Sequence, residues 1–217
     1  MIEVRATAKL ELTSATDALI TLYDLLRKEG FTVKLSPEAL CLEATLGDLK
    51  ILFFTSRTDL KASLTALLTS EVGRGYRGCG DLINYLTTLI YRIKPLNLNS
   101  VTYVVTYEAD VSCSKGIINE VDRYLKGLGA VPLTYPQAYV GSGEVRYEVI
   151  SVRYGLVLEG LRSSDILLTY TITPTKCELR VSVGGSTREL GGLRRYVYDA
   201  LSITELIADY LSSKYFR

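Results

Sequence analysis

The strongest constraint on the fold is that the chain resembles itself at an offset of 99 residues. When Ile2 is placed on Val101, both stretches predict a strand, a turn, a helix and a glycine, and Gly30 falls on Gly129. Two later stretches match in the same order with growing offsets, 40–43 with 156–159 and 84–88 with 209–213. Ordered self-similarity of this kind indicates a repeated structural unit. The sequence therefore predicts an internal duplication.

The boundaries of the two repeats follow from the segment that joins them. Pro95 cannot continue a helix, and two asparagines after it favour a turn. We therefore place the first repeat at residues 1–94, a linker at 95–100 and the second repeat at 101–217. The second repeat is longer, and we assign the extra length to an inserted loop near residues 132–143.

Hydrophobic periodicity predicts the elements of each repeat. Residues 3–12 alternate between apolar and polar, as expected of a half-buried strand. Ser14 then starts a helix that Gly30 ends, and long closing helices are predicted at 81–93 and 193–216. Residues 60–68 suit either a strand or a helix. The predicted fold class is α+β, with two diverged copies of a β-α-β(4-5)-α unit, an antiparallel sheet and a long closing helix.

This order of elements is similar in topology to two known arrangements. One is the helix-grip fold of lipid- and hormone-carrying proteins, in which a long C-terminal helix lies across a curved antiparallel sheet. The other is the half-repeat of the TATA-binding protein. The resemblance spans the chain as element order, without a sequence motif of either family. It implies a fold and leaves function to be argued from a site.

The chemistry of the chain is limited by what it lacks. It contains no histidine, which excludes Ser-His-Asp and Cys-His nucleophile pairs and the HExxH zinc site. It also contains neither GxxxxGK[ST] nor GxGxxG. The four cysteines form no CxxC pair, so small buried residues are the favoured interpretation and a disulfide is the alternative. We predict no metal and no cofactor, and we lean against an enzyme.

Charge and composition bear on partners and location. A net charge of +1 does not favour general nucleic-acid binding, which usually needs a basic excess. No apolar run reaches the length of a membrane helix, and no secretory signal opens the chain, so a cytoplasmic protein is expected. Few Asn, Gln and Met residues are present, and such depletion is one mark of thermophile proteins.

Two glycine- and arginine-rich segments precede the predicted closing helices, at 73–81 and 184–195. Glycines let backbone N–H groups approach a ligand, helix N-termini favour anions, and arginine donates forked hydrogen bonds. The favoured alternative is that glycines shape the turn while the arginines remain solvated, and nearby Asp81 and Glu189 weaken the anion hypothesis. The candidate anion or nucleic-acid contacts are Arg74, Gly75, Arg77, Gly78, Arg188, Arg194 and Arg195.

Tyrosines and the last helix supply candidate contacts for a ligand or partner. Tyr135 and Tyr139 lie in the inserted loop, and tyrosine combines a large apolar area with a polar tip. Ile207 and Tyr210 widen the apolar stripe of the last helix, which then needs cover on two sides. Ordinary core packing is the favoured alternative for all four residues.

These patterns support three functional hypotheses. The leading one is a non-catalytic binding protein that holds an apolar or amphipathic small molecule between the sheet and the long helix. The second is nucleic-acid binding through the paired Gly/Arg segments. The third is a structural or adaptor subunit of a larger complex, and a homo-oligomer is compatible with each of the three.

Overall fold

The computed structural model describes residues 1–56, 60–71, 75–114, 116–141, 147–156 and 164–215, without the side chains of 75–77 and 215. The chain is a mixed α+β protein with a large antiparallel sheet and a C-terminal helix. Its helices are α1 (Ala15–Lys28), α2 (Gly75–Ile93), α3 (Gly116–Gly127) and α4 (Leu193–Tyr215). Its strands are β1 (Ile2–Glu11), β2 (Thr32–Ser36), β3 (Cys41–Leu46), β4 (Leu49–Thr55), β5 (Lys61–Ser70), β6 (Asn97–Val111), β7 (Val131–Pro132), β8 (Gln137–Gly141), β9 (Tyr147–Leu156), β10 (Ser164–Ile172) and β11 (Cys177–Thr187).

The chain divides into two compact units. The N-terminal unit consists of Glu3–Val104 and Ser186–Tyr198, and the C-terminal unit of Met1–Ile2, Val105–Gly185 and Asp199–Arg217. This division differs from the predicted one, because residues 97–100 of the expected linker are the start of β6. Strand β6, which has 15 residues, therefore contributes residues to both units.

The N-terminal unit contains the strands in the order β2-β3-β4-β5-β1-β6, and the pairs β2–β3, β3–β4 and β4–β5 are antiparallel. The predicted alternation of β1 is confirmed, since Val4, Ala6, Ala8 and Leu10 are buried. The ambiguous segment is strand β5, whose buried positions are Ala62, Leu64, Ala66 and Leu68. Leu67, on the other side of the strand, obscured the period of two.

Helix α1 begins and ends as its sequence predicts. The Ser14 side chain accepts a hydrogen bond of 3.2 Å from the backbone N–H of Asp17, which caps the first turn. At the other end Gly30 has φ +86°, a conformation that glycine adopts without a Cβ penalty. The N–H of Phe31 then donates to the carbonyl of Leu26, and Phe31 turns into the core.

The C-terminal unit contains the order β6-β11-β10-β9-β7, with β8 also paired to β9. The pairs of β9 with β7, β8 and β10, and of β10 with β11, are antiparallel. Fully buried tyrosines fill its core, with Tyr154 on β9 and Tyr170 on β10. On α4 the buried residues of this unit include Leu201, Ile207, Ala208 and Leu211.

The chain shows the predicted order of elements twice. A strand, a helix, several strands and a closing helix occur first from β1 to α2 and then from β6 to α4. Gly129, with φ +89°, ends α3 as Gly30 ends α1. The N–H of Ala130 donates to Leu125 O, which matches the Phe31–Leu26 hydrogen bond at an offset of 99. Common descent of the two halves stays a prediction.

Three local expectations need correction. Helix α2 begins at Gly75 and not at Asp81, so most of the first Gly/Arg segment is helical. A Cβ at Gly78 would overlap the side chain of Leu68 on β5, so this glycine permits close packing of helix on sheet. Residues 184–187, expected in a turn, are the end of β11. The expected inserted loop contains strand β8.

Two of the four cysteines form a disulfide and the other two keep their thiols. Cys113 and Cys177 form a disulfide in the C-terminal unit, which was the alternative prediction. Cys41 and Cys79 keep their thiols. Cys79 is fully buried on α2, as the favoured interpretation expects, whereas Cys41 is half-buried.

Candidate functional site

A cleft lies between α1 and α2 in the N-terminal unit. Its volume is about 260 Å³, slightly below the roughly 300–1,000 Å³ of common small-molecule sites. Its lining comes from the last turns of α1 and the middle of α2. The residues are Leu25, Leu26, Glu29, Asp81, Asn84, Tyr85, Thr88 and Leu89.

The cleft has an apolar base and an aromatic wall. Leu26 and Leu89 are buried, and Leu25 is half-buried beside them. The ring of Tyr85 packs edge-on against Phe31, with centroids 5.3 Å apart and planes at 83°. Because Gly30 turns the chain so that Phe31 enters the core, the α1 cap fixes the wall of the cleft. A small apolar group would therefore meet a preformed surface.

The rim of the cleft is polar and acidic. Glu29 and Asp81 are exposed, and the amide of Asn84 and the hydroxyl of Thr88 lie on the same side of α2. Neither carboxylate side chain has a hydrogen-bond or ion-pair partner among the residues that the structure describes. Carboxylates only accept hydrogen bonds. The rim can therefore accept donors from a ligand and favours a positive charge.

A second, shallower depression shares Leu25 with the cleft. It is lined by Thr21, Asp24, Lys28 and Arg92, so cationic and acidic side chains both border it. Unlike the rim of the cleft, the border of this depression therefore has charges of both signs.

In the C-terminal unit, two tyrosine rings fill the place that corresponds to the cleft in the predicted alignment. In the predicted alignment Tyr124 replaces Leu25, and Tyr210 matches Tyr85. The rings of Tyr124 and Tyr210 stack 3.9 Å apart at 9°, and the Tyr124 hydroxyl donates to the carbonyl of Leu206 at 3.3 Å. Because position 25 has a leucine, the space that the Tyr124 ring fills in the C-terminal unit stays open in the N-terminal unit.

The first Gly/Arg segment falls only partly within the described residues. Arg74 lies outside them, as does the side chain of Arg77. Gly75 and Gly78 are in the first turns of α2. A role for this segment in anion binding stays a prediction, and Gly78 has the packing role against β5 described above.

The second segment places arginines on the surface of the N-terminal unit. Arg188, Arg194 and Arg195 are exposed, and the Arg194 guanidinium lies over the ring of Tyr198 at 5.6 Å. A Cβ at Gly80 of α2 would lie 3.8 Å from Arg194 Nη2. The structure thus brings the two segments together at this point. Contact with nucleic acid stays a prediction.

The four other predicted contact residues lie in different environments. Tyr135 and Tyr139 are exposed, with 91% and 58% of their surface accessible. Ile207 is fully buried, so it is part of the core. Tyr210 is half-buried in its stack with Tyr124 and lies 4.9 Å from Lys214 Nζ.

The cleft itself was not predicted from the sequence. A signal was nevertheless present, since Asp81, Asn84, Tyr85 and Thr88 recur at helical spacing on α2. Their partners on α1 are remote in sequence, so only the fold identifies them as one site.

Within the described part of the chain, no three acidic or cysteine side chains group so that they could hold a metal ion. The described helices likewise include none with the length and hydropathy needed to cross a membrane.

Comparison with known proteins gives distant structural likenesses. No protein-family model and no curated protein matches the chain. Among solved structures it is similar to the di-domain ARO/CYC StfQ from the steffimycin biosynthetic pathway, at 12% identity, 96% coverage of each chain and a TM-score of 0.30. It is also similar to the di-domain ARO/CYC BexL, at 8% identity, over 98% of this chain and 95% of that one, with a TM-score of 0.32. These scores assign no family.

Proposed function

We propose that the chain is a binding protein for a small amphipathic molecule, held in the cleft between α1 and α2. The observation that carries the proposal is the combination of an apolar base with a rim whose carboxylates, Glu29 and Asp81, have no described side-chain partner. The location differs from the predicted one between sheet and long helix. The class of ligand, amphipathic and small, is the one predicted.

The chemistry of the cleft favours a ligand with an apolar body and a positively charged end. An aromatic ring that buries about 100 Å² gains roughly 2.5 kcal/mol. An exposed ion pair adds only about 0.2–1 kcal/mol. The apolar base therefore supplies most of the affinity, whereas Glu29 and Asp81 select the cation over a neutral molecule of the same shape.

A direct test uses phenethylamine and its neutral counterpart phenethyl alcohol as probes, with binding followed by ligand-observed NMR. We expect phenethylamine to bind weakly, with a dissociation constant of about 3–10 mM, as the sum of these contributions implies. The alcohol should bind more weakly. The double variant Glu29→Gln, Asp81→Asn should remove this difference between the probes.

The variant Leu25→Tyr tests the location of the site. By analogy with the Tyr124–Tyr210 stack, the new ring should pack on Tyr85 and fill the cleft, so the probe no longer binds. The matched control is Ile20→Tyr, which adds the same ring to an α1 position that is 54% exposed and outside the cleft. Equal binding by both variants, with circular dichroism confirming the fold, would place the probe elsewhere and refute the proposal.

A further inference from the structure

Strand β8 of the C-terminal unit has apolar residues exposed on both faces. Tyr139 and Val140 are neighbours in the strand and so point to opposite faces, yet their exposed fractions are 58% and 60%. Residues 131–141 contain no charged side chain. An uncharged strand that is covered on neither face is unusual at a protein surface.

Strand β8 also has an open edge. It pairs with β9 from Gln137–Ser151 to Gly141–Tyr147, and no described residue pairs with its other side. Natural sheets protect such edges with charges or prolines. Pro132 and Pro136 interrupt the segment before β8, whereas the strand itself has neither protection. The open edge available for pairing is therefore the five residues of β8.

The pairing of β8 with β9 holds this edge in a fixed register. A Cβ at Gly141 would overlap the ring of Tyr147, so the ring lies across the glycine of the neighbouring strand. Aromatic cover of an edge glycine pins strand register. From the middle of β8 the hydroxyl of Tyr139 donates to Oε1 of Gln137, the first residue of the strand, at 2.8 Å.

We propose that β8 pairs antiparallel with β8 of a second molecule of this chain, about a twofold axis at Tyr139. In this register Gln137 lies opposite Gly141 and Ala138 opposite Val140, so large residues meet small ones. No charge meets a like charge, because the strand carries none. A twofold contact of this type is satisfied by two molecules, which makes the assembly a dimer.

Sedimentation equilibrium of the full chain over a range of concentrations tests the proposal. We expect the mean mass to rise with concentration from 24.0 kDa to twice that value. Tyr139→Lys places two ammonium groups opposite each other and removes the tyrosine pair, so its dissociation constant should rise by at least about tenfold. Tyr135→Lys is the matched control, since it makes the same exchange outside β8 and should dimerise like the natural chain.

A cysteine at the axis gives a second measurement. Tyr139→Cys should form an intermolecular disulfide under mild oxidation, whereas Tyr135→Cys should not. A mass of 24.0 kDa at every concentration would overturn the proposal. It would do so equally if that monomer bound vesicles of neutral phospholipid, because the exposed strand would then contact lipid and not a second molecule. A dimer that Tyr139→Lys leaves intact, or an open-ended assembly, would overturn it as well.

Discussion

Tyr154 on β9 donates a hydrogen bond of 2.8 Å from its hydroxyl to Oδ1 of Asp122 on α3. The other oxygen of the carboxylate accepts from Nζ of Lys126 at 2.7 Å. Burial alone would raise the pKa of Asp122, but the hydrogen bonds from Lys126 and Tyr154 together lower it. Burial, followed by the hydrogen bond to Asp122, raises the pKa of Tyr154. The hydrogen bond therefore links α3 to the sheet while Asp122 is ionised and Tyr154 is protonated.

We expect Tyr154→Phe to destabilise the chain by about 1.5–3 kcal/mol at neutral pH, because a hydrogen bond to a charged group is lost. The lowered pKa of Asp122 means that its contribution is present above the unfolded-state value and is lost as pH falls through the folded-state value. The difference between natural chain and variant, measured by urea unfolding, should therefore shrink in acid. Tyr135→Phe, at a tyrosine that is 91% exposed, is the control. A difference independent of pH would contradict this account.

The same tyrosine should govern stability in alkali. Its folded-state pKa is raised, so its contribution is complete below the unfolded-state value of about 10 and is lost as pH rises above it. The free energy of unfolding should then fall more steeply above about pH 10 in the natural chain than in Tyr154→Phe. Equal slopes in urea unfolding would show that Tyr154 ionises as readily in the folded protein as in the unfolded one.

The disulfide between Cys113 and Cys177 should be a main contributor to stability. Its partners are 64 residues apart, and closing a loop of this length stabilises by about 4 kcal/mol in the chain-entropy model. We expect the double variant Cys113→Ala, Cys177→Ala to lose close to that amount in denaturant unfolding. Cys41→Ala keeps the bridge and serves as control. An unfolding midpoint unaffected by reductant in the natural chain would count against the prediction.

The glycine that ends α3 should resist substitution. Gly129 has φ +89°, so alanine there should cost about 1–2 kcal/mol. The control is Gly127→Ala, two residues earlier in the last turn of the helix, where φ is not positive. A Cβ added at either position would meet no described atom within 4 Å, so the two variants differ in backbone strain and not in crowding. Thermal unfolding should show a loss for Gly129→Ala alone.

Local rules predicted the parts of the fold that depend on neighbours in sequence. The alternation of β1, the Ser14 cap and the glycine ends of α1 and α3 all follow from a few adjacent residues. The start of α2 could not be predicted in this way. Glycine disfavours helices. Here, however, the side chain of Leu68 on β5 packs so close to Gly78 that only a residue without a Cβ fits at this position of the helix.

The candidate site was less predictable than the fold. The cleft depends on Leu25 remaining a leucine where the predicted repeat has Tyr124, and on Phe31 holding Tyr85 in place. Neither contact has a sequence signature, because each joins residues that are distant along the chain. The exposure of Tyr139 on an open strand edge likewise depends on the pairing of β8 with β9, which no local pattern indicates.

The spacing of the disulfide also bears on how the chain is made. A ribosome adds about 5–20 residues per second, so Cys113 waits roughly 3–13 s for Cys177 to be synthesised. Cys41 and Cys79 are already present during that interval and could compete for it. Both belong to the N-terminal unit, and burial of Cys79 on α2 withdraws its thiol once that part has folded. Folding of residues 3–104 in the order of synthesis would thus withdraw Cys79, but not the half-buried Cys41, before Cys177 arrives.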